Sequence, residues 1–574
     1  MAEKLIFDYI IIGGGTAGGV LAKKLTDSYT NSVLVLEAGQ NRSSELSSAS
    51  IADASLNSSN NRYSFQILTN SEEQLNRSLL LSGGRVIGGS SETNSMFAVR
   101  GSQGLFDRWE AITGAPWGYR EVYQLFMENE TYDGLSQTPE LRGYDGPIKI
   151  RQQNIPDKSI NQILAQAVST VYEVPVVEDY NTGIGGCAFT KTQFTQSWMN
   201  HEYLRSSTAT GYLNATVVTQ GDLVLPDEYG MYSRRLVIFT KTTVNRILFQ
   251  VKFKIPTACG VEYIRNGITQ RAYARKGVIL SAGIFSSVIL QRSGIGAREE
   301  LEAAGVTTVV DNPNVGRNFM SHFDASMGIE INTDRLLSIM DADPDMPISL
   351  GAFAEDSEGS RRLQLIGIAT SVFLPIQEVL TNHWRFDRDK SSNIMSLLLI
   401  DLNASSRGFM TINTSDPTAY PTVSLNPLTT ADDLEFMVDQ FIKVSKIFDL
   451  AKEIDPEGIY RIVYPPENIF TIADREEKRR ILSSYIKASY SAAYHYGGQC
   501  RMAVDSTEGV TDGYLNVFGT ANLKVADLSV SPILPDGNTA VPSQMIALNA
   551  ARFLQSETAY VFSDNEFETE QCGY

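Results

Sequence analysis

Cysteine is the first scarcity. The chain has four in 574 residues, Cys187, Cys259, Cys500 and Cys572, and none stand in a CxxC pair. That spacing carries no zinc-ribbon or dithiol redox motif, and a chain this large with so few cysteines is not expected to rest on a disulfide framework. Long apolar stretches are missing too. No run of about 18 apolar residues occurs, so no membrane-spanning helix is expected. A strand pattern begins within about ten residues of Met1, where a leader peptide would need a basic and then an apolar segment. Positive charge is in deficit: 48 Lys and Arg against 66 Asp and Glu leave a net charge of −18. A nucleic-acid groove binder normally carries a basic stripe, so no specific nucleic-acid recognition is expected. A local basic patch for an anionic cofactor is still compatible with that total. No tandem repeat is present. Histidine is as rare as cysteine: His201, His322, His383 and His495 are the whole set. Imidazole is the side chain best suited to proton transfer near neutral pH, so candidates for acid–base work are few.

What is present is a soluble globular composition, 43% hydrophobic and 20% charged, long enough for two or more domains. The strongest local signal is FDYIIIGGGTAGGVLAKKLTDSYTNSVLVLEAG, Phe7–Gly39. The apolar run Tyr9–Ile12 reads as a buried strand. Gly13-x-Gly15-x-x-Gly18 then opens a helical pattern through Val20, Leu21 and Leu25, and a second apolar run, Val33–Leu36, ends in Glu37. This is a strand–helix–strand unit. Gly13 permits the tight turn, Gly15 lets backbone approach a pyrophosphate, and Gly18 lets helix and strand pack closely. The helix N-terminus offers unpaired N–H groups to phosphate. Glu37, 19 residues after Gly18, can accept hydrogen bonds from ribose hydroxyls. The pattern specifies a dinucleotide without choosing between FAD and NAD.

A second glycine cluster, SGGRVIGGSSETNSMFAVRG, spans Ser82–Gly101. Gly83, Gly84, Gly88 and Gly89 are too many for a helix or strand interior and suit backbone lying against a flat ligand. Arg85 can answer a phosphate charge, and Ser90, Ser91 and Asn94 offer short polar contacts. From here the chain resembles the glucose–methanol–choline (GMC) oxidoreductases, an FAD-dependent family. Their second signature is matched from Arg85 through Asn94, Met96 and Arg100 to Gly101. The resemblance runs on through WEAITGAPWGYREVYQLF, YLRSSTATGYL, GVILSAGIFSSVILQRSGIG, NPNVGRNFMSH and RGFMTINTSDPTAYPTVSL to AYHYGGQCRM and LKVADLSVSPILPDGNTAVPSQMIALNAARFL.

The resemblance implies an α/β fold, α+β overall, in which a Rossmann-like FAD domain interleaves with a substrate domain built on an antiparallel sheet. It implies residues 1–157, 236–322 and 491–554 for the first, 158–235 and 323–490 for the second, and an acidic tail over 555–574. It puts the catalytic base at His495, in YHYGGQC, and its partner at Asn538, in DGNTAVP. It puts FAD contacts at Gly13, Gly15, Thr16, Ala17, Gly18, Glu37, Ala38, Arg85, Gly88, Gly89, Ser90, Asn94 and Met96, and again at Val244, Asp527, Asn538 and Thr539. Thr93 stands where some relatives carry a histidine bonded to the flavin, so FAD is expected to be non-covalent. No metal is implied.

On the residues alone, Asp527 also reads as a cap for LSVSP, His322 as a packing or hydrogen-bonding residue, and His201 and His383 as surface or substrate-domain residues. Alternating FMTINTS and PTVSL read as antiparallel strands, and Asp432–Ile454 as a helix with an acidic N-terminus. The loop Gly39–Ser64 is expected to act as a lid or an interface. The tail is expected to be loosely docked or to contact another subunit.

The function implied is oxidation of an alcohol by proton removal and hydride transfer to flavin N5. The aromatic stretch FTKTQFTQSWM leans toward an apolar or aromatic small-molecule substrate. The family also holds a hydroxynitrile lyase and proteins built into giant-virus particles. ASYSAAYHYGGQC resembles the lyase branch's His-Tyr-x-Gly/Gly segment and keeps a lyase-like role open, against which Gly497 stands where that branch has its second histidine. The altered Gly498-Gln499-Cys500 motif, the Ser/Asn-rich loop and the extra acidic tail keep a structural role open, in a homo-oligomer or larger assembly. Cytoplasm is the default location. N-x-S/T sequons such as those at Asn57, Asn214 and Asn413 keep secretion open, and the family keeps a virion open.

Overall fold

The structure is a computed structural model that describes residues 4–42, 44–156, 159–199, 201–222, 225–355, 360–369, 393–557 and 560–568. Two eight-stranded sheets organise it. At the centre of the first lies the strand Leu5–Ile12, whose last five residues are all buried. It pairs in parallel with Val33–Leu36 on one side and Ile268–Leu280 on the other. A strand covered on both faces favours a continuous apolar run over alternation, and Tyr9–Ile12, YIII, is that run. Leu523–Val525 joins the same sheet far later in sequence, parallel to Ile268–Leu280. A three-stranded antiparallel meander, Thr242–Lys252, Ile255–Arg265 and Ile268–Leu280, forms one flank.

The second sheet is mainly antiparallel. Its middle strands are Met320–Glu330, Ile394–Asp401, Arg361–Ile368 and Ile348–Glu355. The 24-residue helix Ala431–Ile454 lies in its core with Met437, Phe441, Val444 and Phe448 buried, and Asp432 and Asp433 sit in its first turn, where acidic residues complement the helix dipole. Phe409–Thr411 and Thr422–Ser424 pair antiparallel, as their alternation predicts, but as a separate two-stranded ribbon.

Three findings differ from the sequence expectations. The boundary expected at residue 491 assigns Ser491–Gly497 to the first body, yet that strand hydrogen-bonds to Met320–Asp324 in the second sheet. His495 therefore rides on the substrate sheet. The companion boundary at 157/158 lies outside the described residues.

Next, Cys259 is disulfide-bonded, while Cys187 and Cys500 are buried free thiols. Sequence spacing predicts neither the bond nor its position.

Last, the tail packs on its own chain. Phe562 and Phe567 bury against Leu248 and Cys259, Arg275 pairs with Asp564, and Lys252 pairs with Glu566. Its described part is docked rather than loose. Residues 569–574 lie outside the described residues, as does His383. Among the described residues no helix is long and apolar enough to cross a membrane.

Candidate active site

A cavity of about 610 Å³ opens between the two sheets. The first turn after Leu5–Ile12 forms its floor. Gly13 sits at φ +99°, and a Cβ there would fall 2.5 Å from the Ser281 carbonyl oxygen. The second glycine cluster closes against the first: a Cβ on Gly89 would fall 2.7 Å from Gly15 Cα. Alanine at position 13 should therefore displace the loop and abolish flavin retention. The check is the flavin-to-protein absorbance ratio after purification, and a Gly13→Ala protein that keeps its full ratio would refute this account of the turn.

Most of the expected contact residues line this cavity: Gly13, Gly15, Thr16, Ala17, Glu37, Ala38, Arg85, Gly89, Ser90, Asn94, Met96, Val244, Asp527, Asn538 and Thr539, with Thr93 and His495 beside them. Gly18 and Gly88 do not. A Cβ on Gly18 would lie 1.9 Å from the Gly13 carbonyl oxygen, so its role is to let the helix Gly18–Thr26 start against the turn. Gly88, at φ +91°, turns the chain behind the wall against Glu92 and Ala209. Gly18 thus plays the close-packing part its place in the motif predicts, and both glycines stand behind the cavity wall.

Two acids do more than expected. Glu37 lines the cavity, but its carboxylate already accepts from the Gly14 N–H at 2.8 Å and the Gly39 N–H at 2.7 Å, which shapes the turn itself. Burial raises its pKa, against those two bonds. Asp527 caps the turn Leu528–Val530 through the Ser529 N–H and also accepts from the Gly283 N–H and the Ser286 hydroxyl. The cap reading and the cavity reading both hold for it.

The wall also contains Arg292, which the sequence reading passed over. Its Nη2 donates to the Val244 carbonyl at 3.2 Å, while its buried Nε has no partner among the described residues. Burial pushes its pKa down to about 10. A buried donor without an acceptor is costly, and an acceptor on an occupant at the Val244 end would satisfy it. The glycine turns, the acid at the second strand end and this orphan donor together fit a dinucleotide. The arginine stands in QRSGIG, so the motif could have flagged it.

At the other end stands His495. Its strand carries a bulge: Ser321 pairs with Tyr496 and Phe323 with Ala492, so the single residue His322 opposes Ala493, Tyr494 and His495. Tyr494 takes up the irregularity at φ +62°. Bulges re-aim side chains, and here His495 Nδ1 comes to 2.9 Å from His322 Nδ1, with the rings edge to face at 5.0 Å. His495 Nε2 lies 3.3 Å from Asn538 Nδ2. Burial pushes the His495 pKa down to about 4. His322, fully buried, is lowered too, by burial first and then by repulsion from His495. Both rings are neutral at pH 7, and a neutral imidazole can accept a proton.

Asn538 directly precedes the helix Ala540–Ser556 and is held from behind: Gln364 Nε2 donates to its Oδ1 at 3.0 Å. Two residues earlier, buried Asp536 accepts from the Ser102 and Arg361 N–H groups, each at 2.9 Å. Gln364 and His322 were not expected near His495, because only the fold brings together residues 322, 364 and 495, from three strands of one sheet, and 538, from the turn before a helix. His201 lies exposed, away from the cavity wall.

The loop Gly39–Ser64 folds into the helix Ile51–Ser58, whose Ile51, Ala54, Ser55 and Ser58 cover the cavity. The second sheet contributes Ile366, Ile368, Leu398 and Ile400, and Phe97 joins them.

Comparison with known proteins extends this geometry. Two models of the GMC oxidoreductases match the chain, one over residues 7–324 and the other over 404–547. Among curated proteins the chain is similar to pyranose dehydrogenase 3 of Leucoagaricus meleagris, at 28% identity over 95% of this chain and 92% of that one. It is also similar to 5-(hydroxymethyl)furfural oxidase of Methylovorus sp. (strain MP688), at 27% identity over 94% and 97%. Among solved structures it resembles pyridoxine 4-oxidase from Mesorbium loti, with a TM-score of 0.75, 22% identity and coverage of 96% and 99%. At that identity the likeness concerns the fold.

Proposed function

The chain belongs to the GMC oxidoreductase family, and on that premise we propose that it oxidises an alcohol whose hydroxyl sits between His495 and Asn538. The observation that carries this is the convergence of His495 Nε2 and Asn538 Nδ2, 3.3 Å apart on the cavity wall. An alcohol oxygen bridging them donates its proton to His495 and accepts from the Asn538 amide. As the hydroxyl proton leaves, the negative charge that develops on the oxygen is answered by that amide and by the adjacent helix N-terminus, until loss of hydride from the carbon turns it into a neutral carbonyl. FAD, when bound, supplies the two-electron acceptor that takes the hydride at N5. Gly13, Gly15, Glu37, Ser90, Asn94 and Arg292 would hold it. Thr93 has no nucleophilic ring nitrogen, which supports a non-covalent flavin.

The aliphatic wall from Phe97, Ile366, Ile368, Leu398 and Ile400 supports an apolar or aromatic primary alcohol over a sugar, whose hydroxyls would be buried without partners there. The disulfide on Cys259 supports an oxidising compartment, and so secretion over the cytoplasmic default.

The test is an anaerobic panel of benzylic, allylic, aliphatic and sugar alcohols followed by flavin absorbance. Benzylic or allylic alcohols are expected to bleach the flavin fastest. A flavin that no alcohol reduces ends the proposal; cyanohydrin cleavage by that same protein would indicate a lyase, and ordered assembly without activity a structural role.

A further inference from the structure

Proton positions in the chain Gln364–Asn538–His495–His322 are not independent. Gln364 Nε2 donates to Asn538 Oδ1, so the Asn538 amide presents Nδ2 to His495. An NH2 group only donates, so His495 Nε2 must hold a lone pair. Neutral His495 then carries its proton on Nδ1, and the acceptor 2.9 Å away is His322 Nδ1. His322 in turn keeps its own proton on Nε2. The backbone of Leu402 faces that ring and favours a proton there, without closing a hydrogen bond.

The opposite assignment flips both amides and both tautomers in the same heavy-atom frame. It would turn a His322 lone pair toward the Leu402 carbonyl. It would also leave a buried Gln364 N–H unpaired where the first assignment leaves only the Gln364 Oε1 carbonyl unpaired. Orphaned buried N–H groups are the rarer of the two. The Gln364 end therefore favours the first assignment, while at the His322 end either assignment leaves the buried Nε2 without a closed hydrogen bond. The first assignment is the one that keeps a lone pair on His495 Nε2, facing Asn538 and the cavity.

We propose that His322 and Gln364 are positioning residues: together they fix the proton of His495 on Nδ1 and keep Nε2 free to take the substrate proton. This rests on the reading of His495 as the base. His322 does this from the bulge that brings it opposite His495, and Gln364 from a strand anchored at Arg361 by Asp536. Neither touches the reacting atoms.

The experiment uses the full-length flavin-loaded protein with ¹⁵N-labelled histidine. Four histidines make the nitrogen spectrum assignable by single substitutions. In the unsubstituted protein His495 should show a pyrrole-like Nδ1 and a pyridine-like Nε2. His322→Phe removes the acceptor and should move His495 to the Nε2–H tautomer. Flavin reduction at saturating alcohol should then slow by about 10²-fold or more, the scale of a base held in the wrong tautomer, with KM little changed. His322→Asn, whose Oδ1 reaches about where Nδ1 stood, should restore both the tautomer and most of the rate. Gln364→Leu should give a mixed tautomer and a smaller loss.

A proton on Nε2 of His495 in the unsubstituted protein overturns the proposal. So does a His322→Phe protein with unchanged nitrogen shifts and rate. If the expected tautomer is present but no alcohol bleaches the flavin, the positioning stands and the proposed oxidation falls.

Discussion

His495→Ala should slow anaerobic flavin reduction by about 10²–10⁴-fold, the range of a positioned general base, or roughly 2.7–5.4 kcal/mol of barrier. The flavin should stay bound, because the glycine turns, Glu37 and Arg292 that would hold it lie apart from the strand Ser491–Gly497. The measurement is a stopped-flow trace of flavin absorbance against alcohol concentration, with the oxidised spectrum as the check on loading. A variant that reduces within a few-fold of the unsubstituted rate removes His495 from the base role.

The pH dependence follows the same residue. His495 is depressed to about 4 by burial, and the active form is the deprotonated one, so reduction should hold across the neutral range and fall below about pH 4. Stability has a related window. An unfolded histidine titrates near 6.5, and both His495 and His322 are held neutral when folded. Below pH 6.5 the unfolded chain binds more protons than the native one, so their contribution is present above that pH and is lost progressively as pH falls toward 4.

Glu130→Ala should cost about 3–5 kcal/mol of stability, the price of leaving buried cations unpaired. Glu130 accepts from Arg100 Nη2 at 2.6 Å and from Arg142 Nε at 2.8 Å, and Arg142 Nη1 reaches Asp179 at 3.0 Å. All four side chains are at most 1% exposed. Arg142 also lies 3.5 Å from the Tyr132 ring centroid, and the Arg100 N–H is fixed to Asn181. Arg100 closes the segment that supplies Met96 and Phe97 to the cavity wall, so flavin affinity should fall together with stability. Urea unfolding followed by flavin fluorescence reads both, and an unchanged midpoint would show that the guanidinium groups find other partners or water.

The sequence made the dinucleotide turn legible because each glycine has a separate local reason to be there. The strand Val33–Leu36 and the helix Ala431–Ile454 carry equally local signals, one continuous and apolar, the other periodic with two acids in its first turn. His495 was legible only through a resemblance, since AYHYGGQC contains nothing that demands a base. What stayed hidden was non-local. His322 meets His495 through a bulge between strands 173 residues apart in sequence. Gln364 has no motif around it. Gly18 was legible as a packing glycine, whereas the left-handed turn that Gly88 makes against Glu92 and Ala209 has no local signal beyond the glycine itself. The docked tail was missed for a similar reason: an acidic, aromatic C-terminus looks the same in sequence whether its aromatic rings bury or wave.

The interleaving of the two sheets bears on biosynthesis. The first sheet takes its strand Leu523–Val525, and the second its strand Ser491–Gly497, from the last fifth of the polypeptide. During vectorial synthesis, with domains tending to fold as they emerge, neither body of this chain can complete itself early. Both wait on the ribosome for the same stretch, and His495, the proposed base, arrives with the strand that finishes the fold.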